Sequence, residues 1–288
     1  SAHAESVLRQ YSKYFHTKYI KMYLVGNRKQ RQWIIDAARH QEIMPTTEGG
    51  LDFKFDMANL LDGYPGHEHA LPIFPLYSDV YKAIAEAKMI VTPTLLVSYG
   101  GPFAENYFWA TENPYHDKKV QHFFAYEELA AKTRRLGGTG LSSWTMPEEQ
   151  VFPKHAKNMK SLVETKGLVG IGSHGEFQGL GFHWEVWAMQ SGGMRPIDAL
   201  KTATILGATG LGLDKDLGSI EAGKLADFII MEKNPLENIR NTNTIQYVMK
   251  NGRLYDGNTC DEVYPQQRKL DRSEWKFDAP VMNTSIKE

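Results

Sequence analysis

The sequence predicts an α/β fold built on a parallel sheet, followed by a separate small β element. Three observations carry this. From Glu5 to Leu213, short β-rich apolar runs alternate with stretches of helical spacing, as parallel strands joined by crossover helices require. Four of the five runs end on a side chain able to bind metal. Beyond Leu213 the helical spacing gives way to two strand-like runs and an Asn-Gly turn.

Glu5 to Phe15 has amphipathic helical spacing, and "YIKMYLV" (Tyr19 to Val25) reads as a short buried strand. "RQWIIDAARHQEI" places Trp33, Ile34, Ala37 and Ala38 on one helical face, and "MPTTEGG" follows as a brief strand and turn. "MANLLDGYPGHEHALP" gives a helix and then a strand around His67 to His69. "LYSDVYKAIAEAK" is the next helix and "MIVTPTLLV" the next strand. Residues 100 to 150 break the rhythm with an aromatic stretch punctuated by Gly and Pro, the pattern of a lid or substrate loop. "VFPKHAKNMKSLVETK" returns to helix before the strand "LVGIGSH", and "RPIDALKTATILGATGLGL" is a Pro-started helix. "GSIEAGKLADFIIMEKNPLENI" and "TIQYVMKNGRLYDG" supply the β element, with a hairpin turn at Asn251-Gly252.

Composition narrows the partners. At 288 residues the chain suffices for one large α/β domain or two smaller ones. The 33 basic and 34 acidic residues nearly cancel, which argues against a nucleic-acid or membrane partner and for a small neutral or zwitterionic ligand. Cys260 is the single cysteine, so no internal disulfide is available and any metal must use His, Asp, Glu or Lys. No stretch approaches the roughly 20 apolar residues of a membrane helix, and "SAHAESVLRQYSKYF" lacks the apolar core of a signal peptide, so a soluble chain is expected.

Lys21, Glu48, His69, Thr92 with Thr94, and His174 fall at the C-terminal ends of the five strands. In a closed (β/α) barrel such ends surround one pocket, with Glu176 two residues beyond His174 aimed at the same place. Neutral imidazoles and carboxylates suit Zn²⁺ or another divalent ion, which lowers the pKa of bound water. A lysine in the ring can act as base, as anion anchor or, carbamylated, as a bridging carboxylate. Each residue also has a plainer reading: a hydrogen-bonding structural His, a Glu48 that caps the next helix, a Lys21 paired with a core acid. His67 and Glu68 are expected to face outward, because alternation turns one parity to the barrel centre. His183 and Glu185 are expected to pack or support, and His16, His40, His116, His122 and His155 to lie on the surface or in loops. Tyr99, Tyr107 and Trp109 in "SYGGPFAENYFW" are candidates for lining an apolar substrate pocket.

The run from "IGSHGEFQGLGFHWEVWAMQSGG" to "TIQYVMKNGRLYDG" closely resembles the C-terminal part of the amidohydrolase superfamily, in the branch of imidazolonepropionase-like and Xaa-Pro dipeptidase-like enzymes. Its most specific element is "LGSIEAGKLADFII". Upstream, "YIKMYLVGNRKQRQWIIDAAR", "TTEGG", "GHEHALP" and "TPTLLVSYGGPFAENY" are similar to the variant in bacterial proteins that join a TolB-like β-propeller to an amidohydrolase domain. The resemblance covers residues 5 to 258. It implies a metal-dependent hydrolase that cleaves a C–N bond of an amide, peptide or cyclic amide through a metal-activated water.

The implied fold is a (β/α)8 TIM-type barrel of the metal-dependent hydrolase kind, incomplete here and holding about strands 4 to 8. The expected boundaries are a catalytic partial barrel at 1–213, a small β-sandwich element at 214–260 and a C-terminal arm at 261–288. By position Lys21 matches the family's fourth-strand lysine and His69 its sixth-strand histidine. Glu48 stands where a fifth-strand histidine is usual and His174 where the catalytic aspartate is usual, leaving Glu176 as a substitute general base. The resemblance implies one or two divalent ions, zinc foremost, on Lys21, Glu48, His69 and His174, with Lys21 open to carbamylation. No His-x-His precedes Lys21, so an open-edged barrel is expected to be completed by the missing N-terminal part of the same protein or by a homo-oligomer. The propeller-fused relatives imply a periplasmic or extracytoplasmic place over a cytoplasmic one. A non-catalytic chain used for binding or assembly is the second reading, and a lyase or isomerase on the same barrel the third.

Overall fold

The structure is a computed structural model that describes residues 1–98, 101, 103–135, 146–175 and 177–271. Two compact units form: Ser1–Ala104, Pro147–Leu225 and Lys233–Asn243 make the first, and Glu105–Met146, Ala226–Glu232 and Thr244–Glu288 the second. These cuts differ from the sequence boundaries at 213 and 260.

Caps and apolar spacing set the first elements. Helix α1 (Ala2–Tyr14) precedes strand β1 (Tyr19–Met22). Helix α2 (Arg28–His40) starts in a reciprocal cap in which Asn27 and Gln30 each accept from the other's backbone N–H. Its Ala37 and Ala38 pack with Leu8 of α1 and with Ile43. Strand β2 (Met44–Glu48) leads to α3 (Phe53–Asp62), where Asp52 accepts from the Lys54 and Phe55 amides and Gly63 closes the helix at φ +89°. Strand β3 (Gly66–Glu68), helix α4 (Ser78–Glu86) and strand β4 (Ile90–Thr92) continue the alternation. The predicted strand through Val97 is cut short: Thr94 sits at φ +50° and Leu95–Val97 form a 3-10 turn.

The stretch read as a loop instead carries helices α5 (Ala104–Glu112), α6 (Lys118–Phe123) and α7 (Tyr126–Arg135), all but Ala104 within the second unit. The first unit resumes with α8 (Phe152–Glu164), β5 (Leu168–Val169) and α9 (Leu180–Ser191). The long Pro-started helix is two, α10 (Pro196–Thr202) and α11 (Ile205–Gly210), broken where Thr204 takes φ −135° and ψ −104°.

All five strands of the first unit are parallel and lie in sequence order, β1-β2-β3-β4-β5. One register row, Met22, Thr47, His67, Val91 and Val169, crosses every strand and is buried throughout. The other face carries Lys21 beside Thr46, and Glu48 beside Glu68 and Thr92.

In the second unit, β6 (Phe228–Met231), β7 (Ile245–Lys250), β8 (Arg253–Asp256) and β9 (Glu262–Tyr264) form one antiparallel sheet. The Asn251-Gly252 turn joins β7 and β8, both residues at positive φ as a tight hairpin needs. Among the described residues this is a single sheet with no second layer of strands. The expected arm contributes β9: Glu262 is buried, pairs through its backbone with Arg268 and meets the Arg253 guanidinium at 3.5 Å. Among the described residues no helix is long and apolar enough to cross a membrane.

Candidate active site

The ends of β1, β2 and β3 put three of the sequence-predicted ligands in one cluster. Glu48, the last residue of β2, is buried and has a neighbour for each oxygen. Its Oε1 lies 2.8 Å from His69 Nε2, and its Oε2 meets the Lys21 ammonium. Lys21 stays nearly half exposed. His69 follows β3 directly, and its N–H extends the ladder by donating to the Thr92 carbonyl at 2.8 Å. The His174 ring, past β5, stands 5.6 Å from the His69 ring, centroid to centroid. Both histidines hold left-handed backbone, φ +72° at His69 and +65° at His174, a conformation that costs a residue with a Cβ about 1–2 kcal/mol.

Charge around His69 is finely set. Burial holds its imidazole below the ordinary histidine range, and the nearby Lys21 and His174 add to this, while the Glu48 carboxylate pulls the other way. A neutral imidazole is the form that binds metal.

Glu68 corrects the sequence reading. Its register opposite Glu48 puts it on the site face, where the Thr92 hydroxyl donates to its Oε2. His67 does turn away, into the buried row. His155, expected on the surface, is 1% exposed on α8 and meets the Phe74 ring edge-on, because the helix turns that position inward. Glu185 supports as expected, wholly buried on α9 and bonded to the Leu95 and Leu96 amides just after β4. Of the proposed substrate contacts, Trp109 is fully buried with its indole N–H 3.5 Å from Glu105, and Tyr107 is half-buried against Phe108. Tyr99 and Glu176 lie outside the described residues. The sequence reading passed over Asp56, buried on α3 and bonded to the Gly50 amide beyond Glu48; an acid inside an amphipathic helix was its only signal.

The donor set fits a divalent ion in kind: one carboxylate and two imidazoles beside one lysine. Among the described residues, no three His, Cys, Asp or Glu side chains already stand at the spacing of a closed metal cage. The sequence model of the amidohydrolase family matches residues 32–255, most of the chain. The chain belongs to the amidohydrolase family. As a member it is 36% identical to the ochratoxinase of Aspergillus niger over 75 residues, 25% of this chain and 16% of that protein. To the guanine deaminase of Escherichia coli (strain K12) it is 32% identical over 102 residues, 32% of this chain and 23% of the relative. A solved Xaa-Pro dipeptidase with methionine bound in its active site superposes with a TM-score of 0.61 at 19% identity, over 88% of this chain and 58% of that one. A likeness at that identity is one of fold. The chain spans less than two thirds of the length of each of these relatives.

Proposed function

We propose that this amidohydrolase-family chain serves a metal-dependent hydrolase cleaving a C–N bond in a small amide or peptide. Glu48, His69 and His174 would hold the ion. The observation that carries the reading is the Glu48–His69 contact at 2.8 Å with Lys21 on the other carboxylate oxygen, at the C-terminal ends of neighbouring parallel strands. Strand ends are where (β/α) barrels gather catalytic groups. The reach of His174 to His69 across β4 supports a sheet curved as part of such a barrel.

A bound divalent ion, zinc in this reading, supplies polarisation of the scissile carbonyl and a water of lowered pKa. The chain's own groups do the rest. Lys21 sets its ammonium against one oxygen of the buried Glu48 carboxylate. Burial holds the His69 imidazole below the ordinary histidine range, which favours the neutral ring that a metal needs. His174, exposed on its loop with its ring 5.6 Å from that of His69, would bring the third donor to the ion from the far side of β4.

The test is metal per chain in the purified protein, beside Lys21→Ala, Glu48→Gln, His69→Ala and His174→Ala. Near-stoichiometric zinc in the parent, and its loss from the Glu48, His69 and His174 variants, is the expected result. Metal content unmoved by those three changes would sink the assignment. A second reading, a binding or assembly chain without turnover, is favoured by one fact: Glu48 contacts both Lys21 and His69 without an ion between them. It predicts a parent chain close to metal-free.

A further inference from the structure

A histidine has no packing reason to stand in a row of Met22, Thr47, Val91 and Val169. His67 is 2% exposed, and each of its ring nitrogens faces a buried oxygen, Nδ1 within hydrogen-bond reach. Its Nδ1 lies 3.1 Å from the His69 carbonyl, so the ring donates there. Its Nε2 faces Asp56 Oδ1 at 3.4 Å, and Asp56 is itself only 2% exposed. The same Asp56 oxygen accepts from the Gly50 amide at 2.8 Å, two residues beyond Glu48.

Gly49 completes the enclosure. A Cβ there would stand 3.0 Å from His67 Cε1 and 3.0 Å from the Glu68 carbonyl oxygen, so the loop after Glu48 lies directly on the imidazole. A single buried ring therefore touches the loop that follows Glu48 and the peptide of His69. His69 is also the residue held at φ +72°, and strained backbone persists where its surroundings over-determine it.

We propose that His67 and Asp56 are positioning residues for the Glu48–His69 pair, bracing it from the opposite face of the sheet. The inference rests on the metal reading above and deepens it. Outer partners of a metal ligand usually bond the ligand's ring; here the brace holds the main chain, fixing where the ring starts from rather than how it is turned. Loss of the brace lets the His69 peptide relax from its left-handed conformation and carries Nε2 away from Glu48.

The test uses the full chain and Co²⁺, whose visible spectrum reports ligand geometry. His67→Phe keeps the ring and removes both nitrogens. His67→Asn places an amide N–H where Nδ1 was and restores the bond to the His69 carbonyl; His67→Gln reaches toward Asp56 instead. The Phe variant should bind Co²⁺ about 10–100-fold more weakly with a changed spectrum, the usual range for losing an outer partner. Asn should return affinity and spectrum towards the parent, and Gln should not. If Phe fails to fold, the Asn and Gln pair decides the matter. Parent-like affinity and spectrum in Phe, or equal affinity in Asn and Gln, overturns the proposal while leaving the metal reading intact. A parent that takes up no Co²⁺ overturns the metal reading and this inference with it.

Discussion

Glu185 is a fully buried acid of the first unit. Its Oε1 accepts from Leu95 N–H at 2.7 Å and its Oε2 from Leu96 N–H at 3.0 Å, ninety or so residues away along the chain. Full burial outweighs the pull of those two amides and pushes its pKa up to about 8 from 4.5. An acid raised in the folded state binds its proton more tightly folded than unfolded. The stability it lends is full below about pH 4.5, declines with rising pH, and is lost as pH passes 8. Glu185→Gln removes this linkage, so urea melts should show the parent losing stability between those limits and the variant holding level in comparison; equal slopes would refute the assignment. Glu185→Ala leaves two amides without acceptors and should cost roughly 2–6 kcal/mol.

At the scale of elements, helix ends can be tested directly. Asp52→Ala strips the cap from α3 and should cost about 1 kcal/mol by urea melts; no change would mean that the Lys54 and Phe55 amides find other partners. The helices α2, α3 and α8 were legible in the sequence because each buries an apolar stripe, whereas the Asn27 and Asp52 caps were not read there. The helices α5 to α7 were not, since aromatic residues and scattered Gly and Pro hide a stripe. Among the strands, the two-residue β5 has too few positions to show alternation. Alternation was misapplied to His67 and Glu68 as a pair, though neighbours on a strand must face opposite ways: Glu68 joins the site and His67 the brace behind it. Lys21, Glu48, His69 and His174 were legible as a cluster because each ends or follows a strand, and parallel order puts strand ends side by side. Asp56 was not, because its role depends on a loop and a ring from two other elements.

For the first unit as a whole, the sheet ends in two edge strands, β1 and β5, and the one beside apolar surface is β1. Among the described residues nothing pairs with the outer edge of that strand. Beside it α1, β1 and α2 leave a cavity of about 630 Å³, lined by Val7, Leu8, Tyr19, Met22, Trp33 and Ile34, with Lys21 at its wall. Tyr14, Phe15 and Tyr23 add exposed apolar surface on these segments. An unpaired edge next to apolar surface is suited to another stretch of polypeptide. We expect the isolated chain to self-associate through it, seen as a sedimentation coefficient that rises with concentration; a monomer at every concentration would count against this. The same sheet has a consequence for how the chain comes together. Each strand pairs with the one made just before it, so pairing can proceed in the order of synthesis, without waiting for distant sequence. The one long wait is between β4 and β5, where the chain runs from Thr92 to Leu168, over three times the span from Met22 to Met44. Loop-closure entropy grows so slowly with length that this detour adds only about 1 kcal/mol. Three helices of a second unit are thus inserted in the chain between β4 and β5 at little cost to the nascent sheet.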